Sequence, residues 1–127
     1  MKSRAVWMGL GAVVVLLGAG GAWAQKESKA KLRAETLASE ARALANPRGC
    51  EKVEQCVLAD FGNKPCGGPR EYLPYCSRTT DAQALQKKLD SLKDAERQWQ
   101  TEAGLMSNCG LTRKPLLRFV DGECRAR

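Results

Sequence analysis

The sequence predicts an α+β domain: a small disulfide-stapled antiparallel sheet packed on one long amphipathic helix, preceded by an N-terminal helical arm. Three observations predict it. Six cysteines all lie between residues 50 and 124 of a 127-residue chain. A stripe of leucines at helical spacing runs through residues 81–103. Asp121-Gly122, the preferred pair of a type I′ turn, separates two short runs near the C-terminus.

Residues 1–24 read as a signal peptide. Lys2 and Arg4 form a positive n-region, an apolar run follows to Gly18, and Ala22-Trp23-Ala24 is an A-x-A cleavage site that leaves Gln25 as the mature N-terminus. The competing reading is an uncleaved anchor, since the run from Ala5 to Ala24 is long enough to span a bilayer. The Gly and Ala cluster at its C-terminal end favours an extended, cleavable conformation instead. No Cys follows the apolar core directly, which closes the lipoprotein route. The expected product is periplasmic or secreted, with no stable membrane insertion.

Residues 25–48 form a polar helical arm rich in Ala, Leu, Lys, Glu and Arg, all strong helix formers. Leu37, Ala41 and Leu44 share one face, which Ala30 and Ala34 extend. Pro47 disfavours helix at Asn46 and ends the segment. The face is thin and Ala-dominated, so a solvated spacer is the preferred expectation and a docking helix the alternative.

Residues 49–127 form the Cys-rich domain. An even cysteine count in a short exported chain reads as three disulfides among Cys50, Cys56, Cys66, Cys76, Cys109 and Cys124. Fifteen pairings are open; local ones, Cys56–Cys66 and Cys109–Cys124 with Cys50–Cys76 remaining, are weakly preferred. Metal or redox chemistry is the rival reading. It lacks any C-x-x-C pair, and the chain holds no histidine.

Within that domain, residues 50–61 predict a turn of helix followed by a strand at Val57-Leu58-Ala59, and Gly62-Asn63 is a turn signal. Lys64-Pro65-Cys66-Gly67-Gly68-Pro69-Arg70 must be a loop, because Pro and Gly exclude both helix and central strand. Tyr72-Leu73-Pro74-Tyr75 reads as a short strand, with Pro74 confining it to an edge. The long helix follows over Asp81–Ala103. Thr80 is its expected N-cap with Gln83 in capping-box spacing, Leu85, Leu89, Leu92, Trp99 and Ala103 form its stripe with Glu96 as an interruption, and Gly104 is its C-terminal cap. The hairpin closes the chain, from Leu116–Val120 through Asp121-Gly122 to Glu123–Arg125.

The KPCGGP run of residues 64–69, with Tyr72 and Tyr75 after it, resembles small exported bacterial Cys-rich proteins of uncharacterised function that carry a KPCGGPxxY motif. Ser107-Asn108-Cys109 and Gly122-Glu123-Cys124 match the weaker S-x-C and G-x-C features of that group. The resemblance spans residues 50–124. Cys76 stands where a serine is expected, and a cysteine of the Phe119 region is missing, so the pairing need not be shared. The resemblance implies no activity.

Chemistry is poorly represented. Without histidine most nucleophile–base pairs and metal sites are lost, and the carboxylates are scattered among Lys and Arg as solvated pairs. The expectation is a protein that is not an enzyme and uses no cofactor or metal. Net charge is +7, or +5 without Lys2 and Arg4. With no interleaved aromatic and basic residues, this balance does not imply nucleic-acid binding. The leading functional expectation is a binding or interaction protein that presents a loop of Lys64, Pro65, Gly67, Gly68, Pro69 and Arg70, flanked by Tyr72 and Tyr75, to a protein partner. A purely structural role for these glycines is the competing reading. The alternative function is an envelope-associated protein that docks on anionic surfaces. Its arm would use Lys26, Lys29, Lys31, Arg33 and Arg42, and its tail Arg113, Lys114, Arg118, Arg125 and Arg127. A protease inhibitor displaying Lys64 or Arg70 is the narrowest version. Intact mass of the exported chain should begin at Gln25 and rise on reduction by six hydrogens; an unprocessed N-terminus or free thiols would contradict this reading.

Overall fold

The computed structural model describes residues 28–107 and 109–127; the signal peptide and cleavage site expected from the sequence lie outside the described residues. The fold is α+β, as the sequence predicts. Helix α1 (Lys29–Leu44) is followed by a 3-10 turn at Val53–Gln55, strands β1 (Cys56–Phe61) and β2 (Glu71–Cys76), helix α2 (Ala82–Glu102), and strands β3 (Leu117–Val120) and β4 (Glu123–Ala126). No helix among the described residues is long and apolar enough to cross a membrane.

Helix α1 begins at Ser28, whose side chain accepts from the Lys31 N–H at 3.0 Å. Its alanine face is not solvated. Ala34 and Ala41 join Leu85, Leu89, Leu92 and Ala95 of α2 and Phe61 of β1 in one buried cluster, with Leu37, Leu44, Leu73 and Tyr75 packed around it. The helices run antiparallel, since Lys88 of α2 pairs with Glu40 at 2.7 Å while Trp99 lines a recess with Lys31 and Ala34. Small side chains let the helix backbones approach closely, so a face too thin to bury much alone is completed by the leucines opposite. The arm is therefore a structural half of a helix pair.

Helix α2 departs from expectation at both ends. Its N-cap is Asp81, whose carboxylate accepts from the Ala84 N–H at 3.0 Å, rather than Thr80. Thr80 is buried and its hydroxyl takes the Asn46 N–H at 3.0 Å instead. Toward the C-terminus, Glu96 and Gln100 are buried, Trp99 is half-buried and Ala103 is exposed. Gly104 closes the helix at φ +62°, as its conformational freedom allows.

The strands form two separate two-stranded antiparallel sheets, β1–β2 and β3–β4. Cys56 stands opposite Cys76 and Ala59 opposite Leu73 in the first; Phe119 stands opposite Cys124 in the second. Ala59, Phe61, Leu73 and Tyr75 turn to the helices. The alternate positions Tyr72 and Pro74 turn toward β4. The sheets do not merge because residues 46–48 lie between them. The Asn46 carbonyl accepts from the Cys76 N–H at 2.7 Å, and the Pro47 carbonyl accepts from the Cys124 N–H at 2.8 Å. In the β3–β4 turn Asp121 and Gly122 both have positive φ, as type I′ requires.

Three disulfides are formed and no cysteine is free. Cys50–Cys76 is the expected pair. The other two are Cys56–Cys124 and Cys66–Cys109, which corrects the local pairing. Cys56 starts β1 while Cys66 lies beyond its far end. The strand is six residues long at ~3.3 Å each, far more than the ~4.4–6.8 Å between Cα atoms that a bridge spans. Cys124 points inward from β4 and is 1% exposed, facing the buried Cys56. Three such bridges belong to an oxidising, non-cytoplasmic compartment. In urea unfolding, Leu92→Ala should cost about 2–5 kcal/mol, because Leu92 is fully buried between the helices, and Leu111→Ala less than ~0.5 kcal/mol, because Leu111 is exposed.

Candidate binding site

The β1–β2 connection carries the KPCGGP run. Its base is built first. The Arg70 N–H donates to the Phe61 carbonyl at 3.1 Å and closes the hairpin neck. Gly62 follows at φ +74°, and a Cβ there would meet the Arg70 side chain at 2.5 Å and Glu96 Oε2 at 2.7 Å. Glycine is required at this position by conformation and by space.

A buried polar cluster pins the base to α2. Glu96 Oε2 accepts from the Asn63 N–H, and Glu96 Oε1 accepts from Arg70 Nε at 2.8 Å. Asn63 and Gln100 bond in both directions: Asn63 Nδ2 donates to Gln100 Oε1 at 2.8 Å, and Gln100 Nε2 donates to the Asn63 carbonyl at 2.7 Å. Arg70 also pairs with Glu71, which takes a second hydrogen bond from Arg42. Both guanidinium groups lie over the Phe61 ring, 4.2 Å and 4.9 Å from its centroid. Glu96 and Gln100 thus leave the helix stripe because they serve the loop. Among the described residues, no buried side-chain nitrogen or oxygen lacks a partner.

The tip is a tight turn. The Gly67 N–H donates to the Lys64 carbonyl at 2.8 Å, with Pro65 at the position where a fixed φ favours turning. The Lys64 N–H donates to the Gly68 carbonyl at 2.9 Å. Gly67 and Gly68 have φ of +98° and +81°, and nothing lies within 4 Å of where their Cβ atoms would stand. These glycines supply a backbone shape and leave it open to approach. Cys66 then bonds to Cys109 in the irregular segment after α2.

Two long chain segments are thereby joined at the surface. The second carries Leu105, Met106 and Leu111, exposed by 43%, 94% and 96%. A cleft of about 220 Å³ separates the loops from α2, lined by Lys64, Pro65, Gly67, Arg97 and Leu105 among others. It is smaller than the ~300 Å³ at which drug-sized ligand pockets begin.

The sequence-derived loop residues are distributed as follows. Pro65, Gly67 and Gly68 are exposed, and Lys64 and Pro69 are half-buried. Arg70 is engaged with Glu96 and Glu71 at the base. Tyr72 and Tyr75 sit on opposite faces of β2, three positions apart in a period of two. Tyr75 packs on the helix cluster, and Tyr72 lines a recess with Arg42 and Arg125. The partners that sequence reading missed are Asn63, Glu96, Gln100 and the apolar residues of the 104–111 segment. The signal available was the polar i, i+4 pair of Glu96 and Gln100 breaking an otherwise apolar stripe.

Sγ atoms of Cys50, Cys56 and Cys124 lie within 4.8 Å of one another. Each is consumed in a disulfide, so none offers the thiolate that a metal needs. Substitution separates the two kinds of glycine. Gly62→Ala should destabilise well beyond Gly67→Ala, for which only the left-handed conformation is penalised, by about 1–2 kcal/mol in thermal or urea unfolding. Glu96→Ala should cost about 2–4 kcal/mol by leaving Arg70 and the Asn63 N–H without their acceptor, and Glu96→Gln less. No protein-family model, no curated protein and no solved structure matches the chain.

Proposed function

We propose that the chain is an exported, non-catalytic binding protein whose contact surface is the CGGP loop together with the segment that Cys109 ties to it. One observation carries this reading: Cys66–Cys109 joins two exposed loops. The other two disulfides lie in a buried cluster with Leu117 and Phe119, where they serve the fold. Both cysteines of the third are exposed. A covalent tie there restricts surface backbone before any partner arrives, which lowers the ordering cost of binding.

The expected partner is a protein or an envelope component of the exported compartment. The envelope reading draws support from charge. Residues 103–120 contain Arg113, Lys114 and Arg118 and no acidic residue. The inhibitor version is weaker, since Arg70 spends its guanidinium on Glu96 and Glu71. The likeness to small exported bacterial Cys-rich proteins agrees with export and adds no activity.

A photoreactive amino acid at exposed Pro65 tests the surface. Adducts in the native compartment should form there and not from exposed Arg78, and should fall several-fold in the Cys66→Ser/Cys109→Ser double variant. Equal labelling from both positions, or labelling indifferent to the disulfide, would refute the proposal.

A further inference from the structure

The joined loops have an unusual chemistry. Residues 61–70 and 103–120 together contain no Asp or Glu. Lys64, Arg97, Arg113 and Lys114 have no carboxylate partner among the described residues. In the same segment Met106 and Leu111 are almost wholly exposed, and Leu105 shares a cleft with Lys64 and Arg97. The apolar side chains are held outward by a segment that the Cys66–Cys109 bond anchors.

Resting on the reading that this loop pair is the contact surface, we propose that it docks on an anionic lipid bilayer. Leu105, Met106 and Leu111 enter the headgroup boundary, and Lys64, Arg97, Arg113 and Lys114 lie against the anionic headgroups. Exposed apolar side chains on segments that carry cations and no carboxylate partition to that boundary through both hydrophobic and electrostatic terms. The docking is peripheral.

Two observations favour lipid over an acidic protein. Protein contact surfaces concentrate their energy in aromatic anchors that fill pockets. The aromatics of these two segments are Phe61, buried at the loop base, and Phe119, packed on the buried cysteines, so neither is free to act as an anchor. The charge is also of one sign across both loops, which gives attraction without the mixed pattern that fixes a protein partner's register. A bilayer asks for neither pocket nor register.

Co-sedimentation with vesicles tests the assignment, using the full chain exported and oxidised. Vesicles of phosphatidylcholine with about 30 mol % phosphatidylglycerol should bind it, and pure phosphatidylcholine should not. Arg113→Gln/Lys114→Gln should weaken partitioning roughly 10- to 30-fold, from ~1 kcal/mol per cation near the surface. Met106→Asn/Leu111→Asn should weaken it by about tenfold or more at unchanged charge. All four positions are exposed, and an unchanged melting curve will show that the variants fold. Absence of binding, equal binding to both vesicle types, or variants that bind like the parent would each overturn the proposal. If vesicles fail while the Pro65 crosslinker still captures a protein in a disulfide-dependent way, the loop pair remains the contact surface and its lipid assignment alone falls.

Discussion

Cys56 opens β1 and Cys124 lies inside β4, 68 residues apart, and the bond between them holds the two sheets together. Neither sheet has more than two strands. An isolated hairpin is marginal in water, so each needs a neighbour to bury one face. The β1–β2 hairpin finds the helices on one face. On the other it meets β3–β4 across the cysteines, with Leu117 and Phe119 as the apolar filling. Cys50–Cys76 lies beside the same seam, and the Asn46–Pro47 carbonyls lend hydrogen bonds to both sheets. A covalent closure of that span restricts the unfolded chain by about 4 kcal/mol in the chain-entropy account. That is a large share of the stability of a domain this small.

The helix pair plays the complementary part. Alanines of α1 and leucines of α2 make the larger apolar cluster among the described residues, and Phe61 is the strand residue that reaches fully into it. From that ring outward the contacts become polar. Arg42 and Arg70 cover Phe61, Glu71 and Glu96 neutralise them, and Asn63 and Gln100 carry the pattern to the loop base. Such a network pins a loop more narrowly than apolar contact, because each donor has one acceptor at one distance. The tip beyond it has nothing within 4 Å of where Cβ atoms of Gly67 and Gly68 would stand, and its own turn, the Asn63 Nδ2 bond to the Lys64 carbonyl and the bridge to Cys109 hold it. A hydrogen-bonded base, an open backbone and a covalent tether together fix the loop at the surface.

Several elements were legible in the sequence because local chemistry fixes them. Both glycine caps or turns at 104 and 122 needed φ > 0, the leucine spacing needed a helix, and Pro65 with Gly67 and Gly68 needed a turn. Thr80 misled because its hydroxyl is a good cap locally, while in the fold it serves Asn46. Glu96 looked like a flaw in a stripe and is the anchor of the candidate site. Tyr72 and Tyr75 looked like neighbours of the loop. Strand alternation sends one to the core and the other to the opposite face.

By itself, then, the amino-acid order determined the class of fold, the elements and their approximate ends, and the fact that all six cysteines pair. These follow from propensity, periodicity and redox compartment, which act within a few residues or on composition. Which cysteines pair, where the α1 face is buried, and which loops share a surface were decided only in three dimensions. Cys66 and Cys109 are 43 residues apart in the chain and 5.3 Å apart at Cα. No local preference encodes that distance, because it is set by how hairpin, helix and return segment pack around Phe61.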